Sequence, residues 1–199
     1  MNNLISLKKI SKSFSNNKKV TVLKKIDYSF TKGKIYSLMG PSGSGKSTLL
    51  NILSMIDKPT TGSLIIGNNT INFNDSTNND KIRSKKIGII YQQNNLLPDF
   101  TALENVYLAG LALRNDKKDS IQKAKKMIKE MGLSSREHHY PSELSGGEMQ
   151  RIAMARALIN QPEIILADEP TGSLDQTTAK EVFNVLYNLK NKNRLIIYA

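Results

Sequence analysis

At 199 residues the chain can bury one sizeable hydrophobic core, but it is short for two independent domains. It has no cysteine, which excludes disulfides, thiolate catalysis and cysteine-based zinc sites and suits a reducing compartment. No stretch approaches the roughly 20 apolar residues of a membrane-spanning helix, and the first residues lack the apolar core of a signal peptide. We therefore expect a single cytoplasmic domain, residues 1–199, that reaches a membrane only through a partner.

The chain is strongly basic, with 29 Lys and Arg residues against 17 Asp and Glu residues and a formal net charge of +12. Such a charge would suit nucleic acid, an anionic membrane surface or an anionic ligand. The lysines are scattered in pairs among many asparagines and isoleucines, without a basic module interleaved with aromatic residues. A bias in composition is the preferred interpretation, and we expect no nucleic-acid partner.

The first third of the chain is predicted to form strands. They run through "LISLKKI" and "IDYSF", whose alternating apolar residues indicate an antiparallel sheet with one exposed face. "KIYSLMG" indicates a more buried strand that leads directly into a glycine-rich turn. A helix through "STLLNILSMI" and a short strand in "SLIIG" follow, and the polar tract Asn68–Asp80 is predicted to be a surface loop.

The glycine-rich turn "GPSGSGKST" fits the phosphate-binding pattern G-x-x-x-x-G-K-[ST]. Because it lies between a predicted strand and a predicted helix, its backbone N–H groups and the positive end of the helix would converge on phosphate oxygens. Lys46 would contact the β and γ phosphates, and Ser47 would bind Mg²⁺. The residues of this phosphate loop are Gly40, Pro41, Ser42, Gly43, Ser44, Gly45, Lys46, Ser47 and Thr48.

The middle of the chain is predicted to be helical. In "SIQKAKKMIKEMGL" the apolar residues Ile121, Ala124, Ile128 and Met131 recur at helical spacing, and Gly132 is the expected C-terminal stop. One apolar stripe on a basic helix would also suit a membrane surface, but a solvated face of the domain is the preferred interpretation.

A second glycine-rich turn, Ser145–Gly147, begins a predicted helix in "LSGGEMQRIAMARAL". Backbone amides at a helix N-terminus favour an anion. Since one chain would hold one nucleotide at its phosphate loop, this turn is useful as an anion site only if it faces another phosphate, most simply that of a nucleotide held by a second copy. A plain capping turn is the alternative. Ile152, Ala155 and Ile159 share one helix face, which we expect to pack inward.

The last part of the chain predicts a parallel sheet covered on both faces, because the unbroken apolar runs "EIILADE" and "RLIIYA" flank a helix through "TTAKEVFNVLYNLK". Asp168 ends the first run, where its carboxylate could reach Mg²⁺. Glu169 follows at once and could act on an attacking water. The alternative is that both acids only cap the next turn, but their pairing with a phosphate loop favours the metal and water roles.

The order of the phosphate loop, Gln92, "LSGGEMQR", the Asp168–Glu169 pair and "GSLD" resembles that of ABC ATPases over nearly the whole chain. The resemblance implies an α/β fold of the P-loop NTPase class. Its parts would be a parallel core sheet, an N-terminal antiparallel β-subdomain and a helical subdomain inserted at about residues 93–160. It also implies a homodimer that holds two ATP molecules head to tail, each "LSGGEMQR" signature capping the γ-phosphate bound by the other subunit.

The same resemblance implies roles for individual residues. The signature turn would donate to the partner's γ-phosphate, and Asp175 would lie at the dimer contact. Gln92 would touch Mg²⁺ and relay the nucleotide state to a membrane partner. Phe14 would stack on adenine, with a place in the core as the alternative. The predicted nucleotide contacts outside the phosphate loop are thus Phe14, Ser145, Gly146, Gly147 and Asp175. The predicted catalytic residues are Glu169, Gln92 and Lys46, and the predicted Mg²⁺ ligands are Ser47, Gln92 and Asp168.

Within this family, "QQNNLLPDFTALENV", "REHHYPSELSGGE" and "LADEPTGSLD" are similar to the LolD-type ATPases of lipoprotein-releasing systems. That type works at the cytoplasmic face of the bacterial inner membrane with LolC/LolE-like subunits, and it touches the lipoprotein only indirectly. The segment from Gln92 to about Arg114 would form the groove for a coupling helix of the membrane subunit. FtsE-type regulators of cell-wall remodelling and macrolide-exporter ATPases share most of these motifs and are the alternatives.

The sequence departs from the family pattern after its last predicted strand. Members continue "LIIYA" with Thr-His, whose histidine contacts the γ-phosphate and the attacking water, whereas this sequence ends at Ala199. His138 and His139 precede the signature and cannot take that role. We therefore expect a domain truncated at its C-terminus, in which ATP binding is retained better than hydrolysis.

Overall fold

The computed structural model describes residues 3–16, 18–113 and 116–199, and these residues form two four-stranded sheets and a set of helices. The strands are β1 (Asn3–Asn16), β2 (Lys18–Thr31), β3 (Ile35–Ser37), β4 (Thr61–Ile66), β5 (Asn69–Thr70), β6 (Ile87–Ile90), β7 (Ile164–Ala167) and β8 (Leu195–Tyr198). The α-helices are α1 (Lys46–Leu53), α2 (Ser76–Lys86), α3 (Ala102–Leu111), α4 (Lys117–Glu130), α5 (Gly146–Leu158) and α6 (Gln176–Asn188). Two short 3₁₀ helices, Ser134–Arg136 and Pro141–Glu143, precede α5.

The N-terminal sheet is antiparallel, with strand order β2-β1-β4-β5. Its apolar side chains, such as Ile5, Ile10 and Leu64, are fully buried, whereas Tyr28 is half exposed. The predicted sheet with one exposed face is therefore confirmed. The buried face packs with Ile52 of α1, so this sheet and the helix that follows the phosphate loop share one core.

The second sheet is entirely parallel, with strand order β3-β8-β7-β6. All four residues of β7 are buried. Ile165 and Ala167 belong to the core that contains α3 to α6, while Ile164 and Leu166 belong to the core under the antiparallel sheet. Because successive side chains of a strand point to opposite faces, a sheet covered on both sides needs the unbroken apolar run seen in the sequence.

Helices α3, α4 and α5 pack together on one side of the parallel sheet. The predicted apolar stripe of α4 is confirmed, since Ala124 and Ile128 are fully buried. The chain leaves the helix through Gly132, whose left-handed φ of 74° suits the predicted C-terminal stop. Helix α5 is buried more completely than one stripe predicts, because Gln150 is also inside. The division into a core and a helical subdomain at about residues 93–160 stays a prediction.

The polar tract Asn68–Asp80 is only partly a loop, so that prediction was wrong in part. It contains β5 and the first turn of α2. The Asp75 side chain caps α2 by accepting a hydrogen bond from the Asn78 amide at 3.0 Å. The buried Asn79 carboxamide donates to the Asn72 carbonyl at 2.9 Å. A polar composition concealed a helix start, because Asp and Asn favour both loops and N-caps.

No helix in the described ranges is long and apolar enough to cross a membrane. Arg114, which ends the segment expected to receive a membrane partner, lies outside the described residues.

The close packing of β6 against α5 can be tested at Gly88. A Cβ added there would lie 2.5 Å from the Ala157 carbonyl oxygen and 3.0 Å from Pro162 Cγ. We expect Gly88→Ala to lower the free energy of unfolding by about 3 kcal/mol, because backbone must move to admit the methyl group. Gly132→Ala is the control, since its Cβ meets nothing within 4 Å and only the left-handed backbone opposes it, at a cost of about 1 kcal/mol. Denaturant unfolding measures both, and equal losses would contradict the steric argument.

Candidate functional site

The phosphate loop connects β3 to α1 beneath the antiparallel sheet. Gly43 and Gly45 both have left-handed φ values, 77° and 96°. A Cβ on Gly45 would lie 2.8 Å from Val22 Cγ1 and 3.0 Å from Leu23 Cδ2. Glycine is therefore required at position 45 both by the turn and by the close approach of β2. This packing fixes the start of α1, whose first amides have no acceptor within the helix.

Lys46 closes the phosphate loop on itself. Its ammonium donates to the Gly40 carbonyl at 3.0 Å and to the Pro41 carbonyl at 3.2 Å. The loop thus encircles a positive charge, next to the positive end of α1. This arrangement suits an anionic group such as a polyphosphate.

Ser47 and Asp168 meet although 121 residues separate them in the sequence: the Ser47 hydroxyl donates to Asp168 Oδ1 at 3.1 Å. Asp168 directly follows β7, and its amide donates to the Ile90 carbonyl at 2.9 Å, which extends the pairing of β6 with β7. A hydroxyl oxygen and a carboxylate oxygen are hard ligands of the kind Mg²⁺ prefers. The two residues present therefore fit a magnesium ion that also binds phosphate oxygens.

Gln92 and Glu169 come together beside Gly172. A Cβ on Gly172 would lie 3.0 Å from Gln92 Nε2 and 3.2 Å from Glu169 Oε2, so a larger residue would press on both. Glu169 has a left-handed φ of 42°, and its carbonyl accepts from the Gly172 amide at 3.0 Å. Strained backbone of this kind is common where a side chain is held for function. Both side chains are exposed and accessible to a ligand.

The second glycine-rich turn is an N-terminal cap of α5. The Ser145 hydroxyl accepts from the Glu148 amide at 3.3 Å, and the Glu148 carboxylate accepts from the Ser145 amide at 2.8 Å. This capping box gives the Glu148 amide an acceptor. The amides of Gly146 and Gly147 have none within the helix, because the first intrahelical hydrogen bond is donated by the Met149 amide. The role of these two glycine amides as an anion site stays a prediction.

Arg136 holds the capping box from outside the helix. Its Nε donates to Glu148 Oε1 at 2.8 Å. The Arg136 hydrogen bond, followed by those from Ser145, lowers the pKa of Glu148 from 4.5 to about 2. The ionised form is therefore the one that stabilises the fold, and this contribution is complete above pH 4.5 and lost as the pH falls towards 2.

The start of α6 packs against the start of α5. A Cβ on Gly147 would lie only 2.3 Å from Thr178 Cγ2, so a larger residue would force the Thr178 side chain or α6 to move. Asp175 caps α6 by accepting from the amides of Thr177 and Thr178 at 3.0 and 3.1 Å. Hydrogen bonds from Thr178, that of its side chain foremost, lower the pKa of Asp175 below its ordinary value. Asp175 and the signature turn thus share one surface.

The two glycine-rich turns do not meet within one chain. Among the described residues, no hydrogen bond or ion pair joins Ser145–Gly147 to the phosphate loop.

Phe14 lies on β1 with 43% of its surface exposed and its ring 5.0 Å from the Lys12 ammonium. Its alternative place in the core is therefore wrong, and its stacking on adenine stays a prediction.

Two polar residues of α5 that the sequence analysis missed hold the loop around Gln92. The buried Gln150 carboxamide donates to the Tyr91 carbonyl at 3.0 Å. Arg156 donates to the carbonyls of Asn94 and Asn95, both at 2.6 Å. The sequence did contain a signal for Arg156, because it is the single charge inside the apolar run "AMARAL". A guanidinium in such a run is expected to be partly buried and therefore to need hydrogen-bond acceptors.

A groove of about 720 Å³ lies between α2, α3, α5 and the start of the Gln92 loop. Its walls include the basic residues Lys81, Arg83 and Arg156 and one acidic residue, Asp80, which pairs with Arg83. Leu97 and Phe100 belong to the segment that we expect to receive a membrane partner. They are exposed, but they do not line this groove.

Comparisons with known proteins agree with these features. The sequence pattern of the family described as ABC transporter matches residues 23–172. The lipoprotein-releasing system ATP-binding protein LolD of Rickettsia bellii is 45% identical over 198 residues, covering 98% of this chain and 87% of that protein. LolD of Bacteroides fragilis is 43% identical over 189 residues, covering 95% and 86%. Among solved structures, the dimeric ATP-binding cassette MJ0796 in a post-hydrolysis state bound to ADP and Pi is 39% identical, with a TM-score of 0.89 and coverage of 98% and 87%.

The role of Arg136 predicts a measurable change in the titration of Glu148. In Arg136→Gln we expect the pKa of Glu148 to rise from about 2 towards its ordinary value of 4.5, because the largest cause of the shift is removed. Carboxyl-carbon NMR shifts against pH measure it. Arg151→Gln is the matched control on the same helix, since Arg151 pairs with Glu181 instead, at 3.5 Å. An unchanged pKa in Arg136→Gln would contradict this account of the capping box.

Proposed function

Because this chain belongs to the ABC transporter family, we propose that it is the ATP-hydrolysing subunit of a lipoprotein-releasing transporter. The observation that carries the ATPase part of the proposal is the Ser47–Asp168 hydrogen bond, which joins the phosphate loop to a carboxylate that could bind Mg²⁺. The lipoprotein-releasing names of its relatives support this reading over an FtsE-type regulator or a macrolide exporter.

Nucleotide binding would begin at the phosphate loop. Lys46 would exchange its contacts with the Gly40 and Pro41 carbonyls for the β and γ phosphates, while the loop amides bind phosphate oxygens. Ser47, Asp168 and Gln92 would hold Mg²⁺, which supplies positive charge to the phosphates when bound. Phe14 would lie against the adenine.

Hydrolysis requires a water in line with the γ-phosphorus. Glu169 would accept the proton of that water as the new P–O bond forms and the bond to the β–γ bridging oxygen breaks. The products are ADP and inorganic phosphate, and Lys46 would stabilise the charge that develops on the bridging oxygen. The place of the Glu169 carboxylate supports this role, because it lies near the Gln92 carboxamide beside Gly172.

The signature turn would complete the site of a second copy of the chain. Its glycine amides at the helix N-terminus suit an anion, yet in the described residues no hydrogen bond joins them to the phosphate loop of the same chain. We therefore infer a head-to-tail homodimer in which the Ser145 hydroxyl and the Gly147 amide donate to the partner's γ-phosphate, with Asp175 at the contact. The dimeric neighbour with ADP and Pi supports this assembly.

The membrane partners would be LolC/LolE-like subunits of the inner membrane, with this chain bound peripherally at the cytoplasmic face. The groove between α2, α3 and α5 adjoins the Gln92 loop, so a segment seated there could respond to nucleotide. Its walls carry three basic side chains against the single acidic side chain of Asp80, and this excess of positive charge favours a partner segment that presents acidic groups.

The dimer is tested by light scattering of a Glu169→Gln variant, which should retain ATP. We expect MgATP to convert monomer to dimer, and Ser145→Arg in that background to abolish the change, because its side chain would occupy the phosphate position. Ser135→Arg is the control, since it adds the same charge at an exposed serine of the neighbouring 3₁₀ helix. A nucleotide-dependent dimer that survives Ser145→Arg would exclude the signature turn as the cap.

Partner docking is tested by co-purification with co-expressed membrane subunits of the lipoprotein-releasing system. We expect Phe100→Ala and Leu97→Ala to reduce recovery of the complex, because these apolar side chains are exposed beside the Gln92 loop, at 38% and 44%. Tyr187→Ala serves as control, because Tyr187 is an exposed aromatic residue on α6. Unchanged recovery of both variants would remove this segment from the docking surface.

A further inference from the structure

Helix α5 contacts the segment around Gln92 on both sides of that residue. Before Gln92, the Tyr91 carbonyl accepts from the buried Gln150 carboxamide at 3.0 Å. After it, the carbonyls of Asn94 and Asn95 accept from the two terminal nitrogens of Arg156, both at 2.6 Å. Gln92 itself is exposed and lies between these two attachments.

Arg156 is a partly buried charge whose hydrogen-bond acceptors are backbone carbonyls rather than a carboxylate. The guanidinium is partly buried and, among the described residues, it has no carboxylate partner. Burial lowers the pKa of Arg156, yet an arginine remains charged at neutral pH. A desolvated charge is costly unless good acceptors surround it, so both carbonyls are needed to keep the guanidinium in place.

The backbone that Arg156 holds turns sharply. Asn95 has a left-handed φ of 50°, a conformation that asparagine adopts more readily than most other residues with a side chain. This turn directs the two successive carbonyls of Asn94 and Asn95 towards one guanidinium, whose planar fork can bind both at once. On the far side, the buried Asn105 accepts from the Leu97 amide at 2.7 Å and fixes the exit of the loop.

The helix that supplies these contacts begins at the signature turn, which is capped by Ser145. A displacement of α5 therefore moves the attachments on both sides of Gln92 together with the signature. We propose that Arg156, with Gln150, is a positioning residue that couples the place of Gln92 in its own nucleotide site to the signature turn that caps the partner's nucleotide. The coupling to nucleotide rests on the function proposed above, whereas the attachment of the loop does not.

The attachment is tested in the chain without nucleotide by amide hydrogen exchange. In Arg156→Gln we expect the Leu96 and Leu97 amides, which donate to Asn94 Oδ1 and Asn105 Oδ1, to exchange at least about tenfold faster than in the wild type. Arg156→Lys keeps the charge but not the fork, so it should resemble Arg156→Gln. Unchanged exchange in both variants would overturn the proposal.

Arg194 provides a matched control. Its guanidinium also donates to two backbone carbonyls, those of Pro162 and Leu189 at 3.2 and 2.9 Å, and burial also lowers its pKa. Arg194→Gln should lower thermal stability in the same way but leave exchange at Leu96 and Leu97 unchanged. Equal acceleration by both variants would mean general destabilisation rather than positioning, and would also overturn the proposal.

The coupling to nucleotide is tested by the affinity for a fluorescent ATP analogue with Mg²⁺ and with EDTA. We expect Gln92→Ala and Arg156→Gln each to reduce the gain in affinity from Mg²⁺ by about tenfold, without affecting binding in EDTA, and the double variant to lose no more than either one. If Gln92→Ala has no effect, the proposed metal role of Gln92 fails while the exchange result still stands. If Gln92→Ala has the effect and Arg156→Gln does not, the positioning role fails.

Discussion

The parallel alignment of β3, β7 and β6 is the constraint on which the candidate site depends. Because the carboxyl ends of parallel strands lie at one edge of a sheet, the loops that follow these strands converge there. The phosphate loop follows β3, Asp168 follows β7, and Gln92 comes shortly after β6. The hydrogen bond from Ser47 to Asp168 is the direct consequence, and it would be lost with a shift in strand register.

Packing of the antiparallel sheet and of α6 adds a second constraint, which acts on the glycines. Gly45 is held against Val22 of β2, and Gly147 is held against Thr178 of α6. In each case the absence of a side chain lets a helix N-terminus come close to a neighbouring element while its first amides stay free. The two glycine-rich turns are thus defined as much by what packs behind them as by the amides they expose.

Helix α5 connects the parts of the molecule that a nucleotide would link. Its first turn carries the signature, its middle is buried against the parallel sheet, and its polar residues hold the Gln92 loop. The two ends of such a helix must move together, because its buried side chains are close-packed. The groove beside it adjoins the same loop, so a partner seated there would act on the same element.

The sequence by itself determined the motifs, their order and the kind of sheet that carries them. Local chemistry suffices for these, since glycine patterns, apolar runs and the stripe of α4 depend on neighbours in the chain. The prediction of a surface loop at Asn68–Asp80 was wrong in part, because Asp75 caps a helix in a tract whose composition equally suits a loop. Only the tertiary structure decided that Phe14 is exposed, that Arg136 holds Glu148 and that Arg156 holds the carbonyls beyond Gln92. These depend on contacts between segments distant in the chain, and no local pattern of residue types specifies which carbonyl or carboxylate a distant arginine will meet.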